Sequence, residues 1–399
     1  MFQALKKITF ILFLIVSNAS NANSSTGTIK NKINGISNEI KTGADNFEKY
    51  IPLLKDKKVG IVTNQTGLLS NKKHVVDFLL EKKINIQTIF APEHGFRGTA
   101  DAGEHIVDGK DSKTGLSIIS LYGDNKKPKP EQLSRIDVMI FDLQDVGARF
   151  YTYISSLHYV MEACAENNVP LIILDRPNPN GGIVDGPLLE KEFTSFVGMH
   201  PIPLLHGMTI GEYAKMINGE KWLKNAAQCK LTVIPCVNYN RKMDYSLLAK
   251  PSPNLPNDQS INLYASLCLF EGTNVSMGRG TEKQFQIYGS PYLAKTNFSF
   301  TPKPNFGAKD PVYNGVECFG EDLTTYPKLK QLELKWLLKA YQNTSDKTKF
   351  FNPFFTKLAG TKKLQQQIES GISEDTIRKS WVKDLEAFKK MRMKYLIYQ

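Results

Sequence analysis

Four apolar runs in the first half of the chain each end in a cluster of polar side chains, and this pattern restricts the fold more than any other feature. The runs are KKVGIVTN (57–64), INIQTIF (84–90), IDVMIFDLQ (136–144) and VPLIILD (169–175). A helical pattern, NKKHVVDFLLEKK (71–83), separates the first two, and another over 153–167 separates the last two. LSIISLYG (116–123) and KLTVIPC (230–236) read as further strands. Continuous apolar strands alternating with helices predict a mostly parallel sheet covered on both faces, a doubly wound α/β domain. All strand C-termini of such a sheet lie along one edge, where ligands bind. Asn64 and Gln65, Glu93 and His94, Asp142, Gln144 and Asp145, and Asp175 and Arg176 all fall just past strand ends.

The second cluster lies in APEHGFRG (91–98), where Pro92 and Gly95 stop the strand and leave Glu93, His94 and Arg97 on a loop. A turn cap is the bland role open to Glu93. The convergence of four strand ends favours a site. Its residue types are carboxylates, amides and arginines, with no G-x-S-x-G elbow. The loop after the first strand, TNQTGLLSN, lacks the glycine spacing of a dinucleotide site, and there is no Walker loop. No cofactor is therefore expected, and the side chains suit a polyhydroxylated substrate whose leaving oxygen a carboxylic acid can protonate. In the second half, LFEGTNVSMGRGTE (269–282) places Glu271, Asn274, Arg279 and Glu282 on a glycine-rich loop after an expected strand over 264–270. A tight structural turn is the alternative there. His206, before Gly207, suits either a cleft wall or a structural role.

The chain has 399 residues and a formal charge of +12, carried largely by dispersed lysines. No basic aromatic block or nucleic-acid motif accompanies that charge, so nucleic acid is not an expected partner. An anionic polymer such as cell wall fits better, although solubility alone could account for the lysines. Lys6 and Lys7, the apolar run 8–16 and Ser20-Asn21-Ala22 predict a signal peptide over 1–22 and an exported protein, periplasmic or secreted. Residues 23–45 read as a flexible leader, 46–255 as the α/β domain and 256–399 as a smaller α+β domain, with the break at PSPNLPNDQS (251–260). No later stretch has the length of a transmembrane helix. Oligomeric state is not set by the sequence. The five cysteines form no CxxC pair, and the spacing allows a Cys229–Cys236 disulfide without requiring it. Asp101, Glu104 and Asp108, with His94 and His105, form an acidic loop whose spacing matches no fixed metal pattern, so no metal is expected. Asp145 has Arg149 four residues on as a potential ion-pair partner.

The motifs KVGIVTNQTG, APEHGFRG, DAGE, FDLQDVGARFYTY, LDRPNPNGG, GPLLE, HGMTIGEYA, PSPNLP and FEGTNVSMGRGT occur in this order. In that order they resemble the bacterial exo-β-N-acetylmuramidases of the NamZ/YbbC type, a glycoside hydrolase family. The resemblance implies a Rossmann-like domain, a smaller C-terminal domain closing a cleft, and no metal or dinucleotide. It implies release of terminal β-1,4-linked N-acetylmuramic acid from peptidoglycan fragments, with Glu93 as general acid and His94 and Arg97 orienting it. Asp142, Gln144, Asp175 and Arg176 would line the same pocket. Muramic acid carries a lactyl carboxylate, for which Arg279 and Arg97 are the candidate partners, since a guanidinium fork meets a carboxylate bidentately. Asp142, Asp175, Glu271 and Glu282 are all eligible as a second carboxylate, as is the substrate's own N-acetyl group. Asn180 and Gln284 depart from the family pattern, in loop shape and not in chemistry. Two other functions fit the residues: a non-catalytic binder of wall sugars, and a metal-dependent esterase or amidase built on the acidic loop.

Overall fold

The computed structural model describes residues 39–97 and 108–399. The signal-peptide segment, most of the leader, and Asp101, Glu104 and His105 lie outside the described residues. Seven strands form the larger sheet: β1 (Lys58–Thr63), β2 (Asn85–Ala91), β3 (Gly109–Lys110), β4 (Ser117–Ser120), β5 (Val138–Asp142), β6 (Leu171–Leu174) and β7 (Leu231–Ile234). Their order is β3-β4-β2-β1-β5-β6-β7, and every pairing except β3–β4 is parallel. Without β3, the six parallel strands follow the Rossmann order, which reverses direction between β1 and β5. Every residue of β5 and β6 is buried, as expected of strands covered on both faces.

Helices α1 (Phe47–Leu54), α2 (Val75–Glu81), α3 (Pro130–Leu133), α4 (Tyr153–Glu166) and α5 (Ile210–Gly219) accompany the sheet. The start of α5 is a reciprocal capping box. Glu212 N donates to Thr209 Oγ1 at 3.3 Å and Thr209 N donates to Glu212 Oε2 at 3.0 Å. The second, smaller domain has an antiparallel sheet of β8 (Ile287–Ser290), β9 (Ser299–Phe300) and β10 (Cys318–Asp322) in the order β8-β10-β9. Five helices belong to the second half: α6 (Asp258–Leu267), α7 (Lys335–Asn343), α8 (Phe354–Ala359), α9 (Lys363–Glu369) and α10 (Glu374–Met393). The two sheets are separate, but one hydrophobic core runs from Val62 and Phe141 through Phe270 and Trp336 to Phe388.

Two expectations need correction. The run 264–270 is not a strand, because α6 continues through Leu267 into a 3-10 turn over Cys268–Gly272. All of its residues from Ser260 to Phe270 are buried, which removes the amphipathic period that separates helix from strand. The decisive local signal was Asn257, whose side chain caps the helix by accepting from Ser260 N at 2.9 Å. The leader's last residues belong to the folded body. Lys41 pairs with Val237, Gly43 N donates to Asp175 O at 2.7 Å, and Asp45 accepts from Ser70 N at 2.7 Å. The pairing that the sequence left open is not made: all five cysteines are free and buried, and Cys229 and Cys236 are core residues.

Candidate active site

Glu93 follows β2 on a turn closed by Gly95 N donating to Pro92 O at 3.0 Å. His94 and Gly95 adopt φ of 71° and 73°. A histidine in the left-handed region is strained, and such strain concentrates at functional sites. The turn carries Glu93 and the buried His94 into a cleft of about 780 Å³. Two hydroxyls hold the Glu93 carboxylate: Tyr122 OH donates to Oε1 at 3.0 Å and Thr152 Oγ1 to Oε2 at 2.9 Å. Burial and the adjacent Glu93 charge push the Tyr122 hydroxyl pKa upward, so it stays protonated. Each hydroxyl can donate or accept by rotation, so this anchor accommodates Glu93 in either protonation state.

The second domain supplies another part of the lining. Arg279 Nη2 donates to Glu271 Oε1 at 2.7 Å, and the guanidinium carbon lies 5.0 Å from the Phe285 ring centre. Burial lowers the Arg279 pKa, but the charge and hydrogen bond of Glu271, with smaller contributions from Tyr264 and Cys268, together raise it. Among the described residues this guanidinium hydrogen-bonds only Glu271, leaving N–H donors for an anionic ligand. Tyr151, Tyr264, Phe270, Met277 and Phe285 form a buried apolar interior, and Lys309 and Asp310 reach in from a separate loop. A second hollow of about 300 Å³, among Leu188, Glu190, Gln366 and Trp381, contains none of the strand-end residues.

Of the residues singled out in the sequence, Glu93, His94, Glu271 and Arg279 line the cleft. The others lie outside its lining, and several of them are bonded within the fold. At the switch point, Asn64 Nδ2 donates to Tyr153 OH at 2.6 Å, Thr66 Oγ1 to Asn64 Oδ1 at 2.6 Å, and Gln144 N to Thr66 Oγ1 at 3.1 Å. The Gln144 amide donates to Pro177 O at 2.7 Å. Gln65 Nε2 donates to Lys250 O at 3.1 Å. Arg176 forks onto Asp142 at 2.6 and 3.0 Å, both side chains buried. Asp175 accepts from Thr209 Oγ1, Gly211 N and Tyr398 OH at 2.7–2.8 Å. Despite those donors, burial pushes its pKa up to about 6. A Cβ on Gly211 would stand 2.8 Å from that carboxylate, so the contact requires glycine there.

The remaining expected residues are also displaced from the cleft. Arg97 pairs bidentately with Asp111 at 2.8 Å outside the lining. His206 is fully buried beside Asp145 at 3.7 Å, and burial, with Arg392 and Arg149, pushes its pKa down to about 3. Asn274 donates its backbone N–H to Phe350 O while its neighbours Thr273 and Val275 face the cleft, and Glu282 is exposed elsewhere. Arg149 does not pair with Asp145. It donates to the carbonyls of Pro187, Ile202, Leu358 and Ala359 at 2.7–2.9 Å, tying the first domain to α8. Tyr122 and Thr152 were absent from the sequence-based set. Tyr122 was findable, since it follows β4 in LSIISLYG by the same strand-end rule. Among the described residues, no group of three or more His, Cys, Asp or Glu could hold a metal ion.

Comparison with known proteins places the chain in a family. Residues 59–259 match the N-terminal part, and residues 262–398 the C-terminal part, of the exo-β-N-acetylmuramidase NamZ family. A Bacillus subtilis (strain 168) protein described as peptidoglycan β-N-acetylmuramidase NamZ is 41% identical over 383 residues, covering 90% of this chain and 92% of its own. Two Bacteroides fragilis crystal structures of DUF1343-family proteins are similar throughout. One is 46% identical with a TM-score of 0.85, the other 31% identical with a TM-score of 0.76, and each alignment covers 90% of this chain and 99% of the other. The ordered motifs, the two-sheet architecture and these two matches agree, and the chain belongs to the exo-β-N-acetylmuramidase NamZ family.

Proposed function

We propose that this protein is an exported exo-acting glycoside hydrolase that releases terminal β-1,4-linked N-acetylmuramic acid from peptidoglycan fragments. The observation that carries the reading is Glu93, held by Tyr122 and Thr152 in a cleft that also contains the Glu271–Arg279 pair. Glu93 gives its proton to the glycosidic oxygen as the C1–O bond breaks, so the departing sugar leaves as a neutral alcohol, and water supplies the hydroxyl that C1 gains and returns a proton to the site. His94, buried next to it, orients the acid. Glu271 takes the role of second carboxylate, since of the four eligible carboxylates it lines the cleft and Asp142, Asp175 and Glu282 do not. Arg279 receives the lactyl carboxylate on its remaining donors. Export rests on the charged and apolar N-terminal run and its small-residue cleavage site.

The test is chromophore release from an aryl β-N-acetylmuramide beside the matching glucosaminide, in chelator, with a Glu93→Gln control. Hydrolysis of the muramide alone, lost in the variant, is expected. No hydrolysis of either substrate would leave a binding protein, and cleavage of the glucosaminide would overturn the role of Arg279. N-terminal sequencing of the protein recovered from the periplasm or culture fluid checks export, with a start near Asn23 expected.

A further inference from the structure

The cleft is graded in exposure. Its interior consists of buried Tyr151, Leu255, Tyr264, Phe270 and Phe285, whereas Phe196 and Val197 are half-buried and Val312 is 58% exposed. An enzyme acting on chain ends encloses the terminal sugar and lets the departing sugar lie across the mouth. The group that protonates the bridging oxygen must stand between the two. Glu93 is bonded to Tyr122, and the Tyr122 ring lies edge-on to Phe196 with centroids 6.4 Å apart. Phe196 is thus an aromatic ring at the mouth, one side chain removed from the acid. Tyr159, which is not among the cleft-lining residues, stacks on it at 6.2 Å and an interplanar angle of 21°. The Lys126 ammonium stands over the ring, 5.1 Å from its centre, so a sugar that stacks on that face displaces it.

We propose that Phe196 is the platform for the leaving sugar, an equatorially substituted N-acetylhexosamine. This proposal rests on the muramidase reading. A β-linked pyranose of that type presents an apolar face of axial C–H groups, which stacks on an aromatic ring that is held in place. Phe196 does not touch the reacting atoms. It determines which leaving groups are accepted, and it has no bearing on bond cleavage when the leaving group is too small to reach it.

The test compares two substrates in wild type, Phe196→Leu and Phe196→Tyr. One is the disaccharide of N-acetylmuramic acid β-1,4-linked to N-acetylglucosamine, and the other is methyl β-N-acetylmuramide, whose leaving group cannot reach the rim. Leucine keeps the apolar volume against Tyr159 but offers no flat face. In Phe196→Leu, kcat/KM should fall by about tenfold more on the disaccharide than on the methyl glycoside, and Phe196→Tyr should restore it. Equal losses on both substrates would make Phe196 a structural support of Tyr122, and no loss on either would remove it from the site. Both results overturn the proposal while the muramidase reading stands. A wild type inert on both substrates would sink the muramidase reading itself, and the platform with it.

Discussion

Two regions at the C-terminal edge of the large sheet carry similar side chains and differ in what those side chains have left to bond. Where β1, β5 and β6 end, Asn64, Thr66, Asp142, Gln144, Asp175 and Arg176 satisfy one another, mostly buried and with short contacts. Where β2 and β4 end, Glu93 faces a cleft with a two-hydroxyl anchor, and Arg279 reaches the same cleft from the other domain with donors to spare. The first region occupies the switch point where a Rossmann fold ordinarily receives its ligand. Strand-end position nominates a residue, and hydrogen-bond satisfaction decides whether it can act on a ligand. A buried group that already has its partners gains nothing by binding substrate and would lose their hydrogen bonds.

The sharpest test of that contrast replaces one carboxylate in each region. In Glu93→Gln, kcat should fall by about 10²–10⁴-fold, the usual worth of a positioned acid, with the denaturant midpoint unchanged. Asp142→Asn should show the reverse: folding stability lower by about 3–5 kcal/mol, because Arg176 stays buried without its counter-charge, while turnover per folded molecule stays within a few-fold. Lost turnover at full stability in Asp142→Asn would end the division between the regions. Next in size, Arg279→Met should raise KM for the muramide about 10- to 100-fold, from the loss of a charge-assisted hydrogen bond of about 1.5–3 kcal/mol. A KM that does not move would place the lactyl group elsewhere.

A smaller effect comes from two histidines outside the cleft lining. His158 Nδ1 lies 3.0 Å from His200 Nε2, and His200 Nδ1 lies 2.8 Å from Tyr213 OH. Burial lowers the pKa of both, and His158 lowers that of His200 further. The folded state therefore binds fewer protons than the unfolded chain below pH ~6.5. Their contribution is complete above that pH and is lost as pH falls towards the folded-state values, by at most about 1.4 kcal/mol per pH unit for each histidine. Urea midpoints at pH 7.5, 6.5 and 5.5 should fall, and His200→Gln should flatten the slope; an equal slope in that variant would assign it to other groups. The smallest expected change is in Tyr122→Phe. Losing one Glu93 anchor should lower kcat a few-fold, matching about 0.5–1.5 kcal/mol for one hydrogen bond. An unchanged kcat would show that the Tyr122 hydroxyl is not needed to hold the carboxylate.

Most of the sheet and the position of Glu93 were readable in the chain itself, because apolar runs, helical periods and turn residues act over a few neighbours. Periodicity failed at 264–270, where helix α6 is buried on every side and loses the polar stripe that would mark it. It also could not separate working residues from structural ones among the strand-end set. Asp142 is withdrawn from the site by an arginine 34 positions away, and Asp175 by a tyrosine 223 positions away at the end of the chain. Likewise Glu271 and Arg279 reach the cleft of Glu93 only because the second domain folds onto the first around a shared core. Local sequence determined which polar groups arrive at the sheet edge. Only the tertiary structure decided which of them stay free to bind, because a hydrogen bond depends on proximity in space and the partners are far apart in sequence.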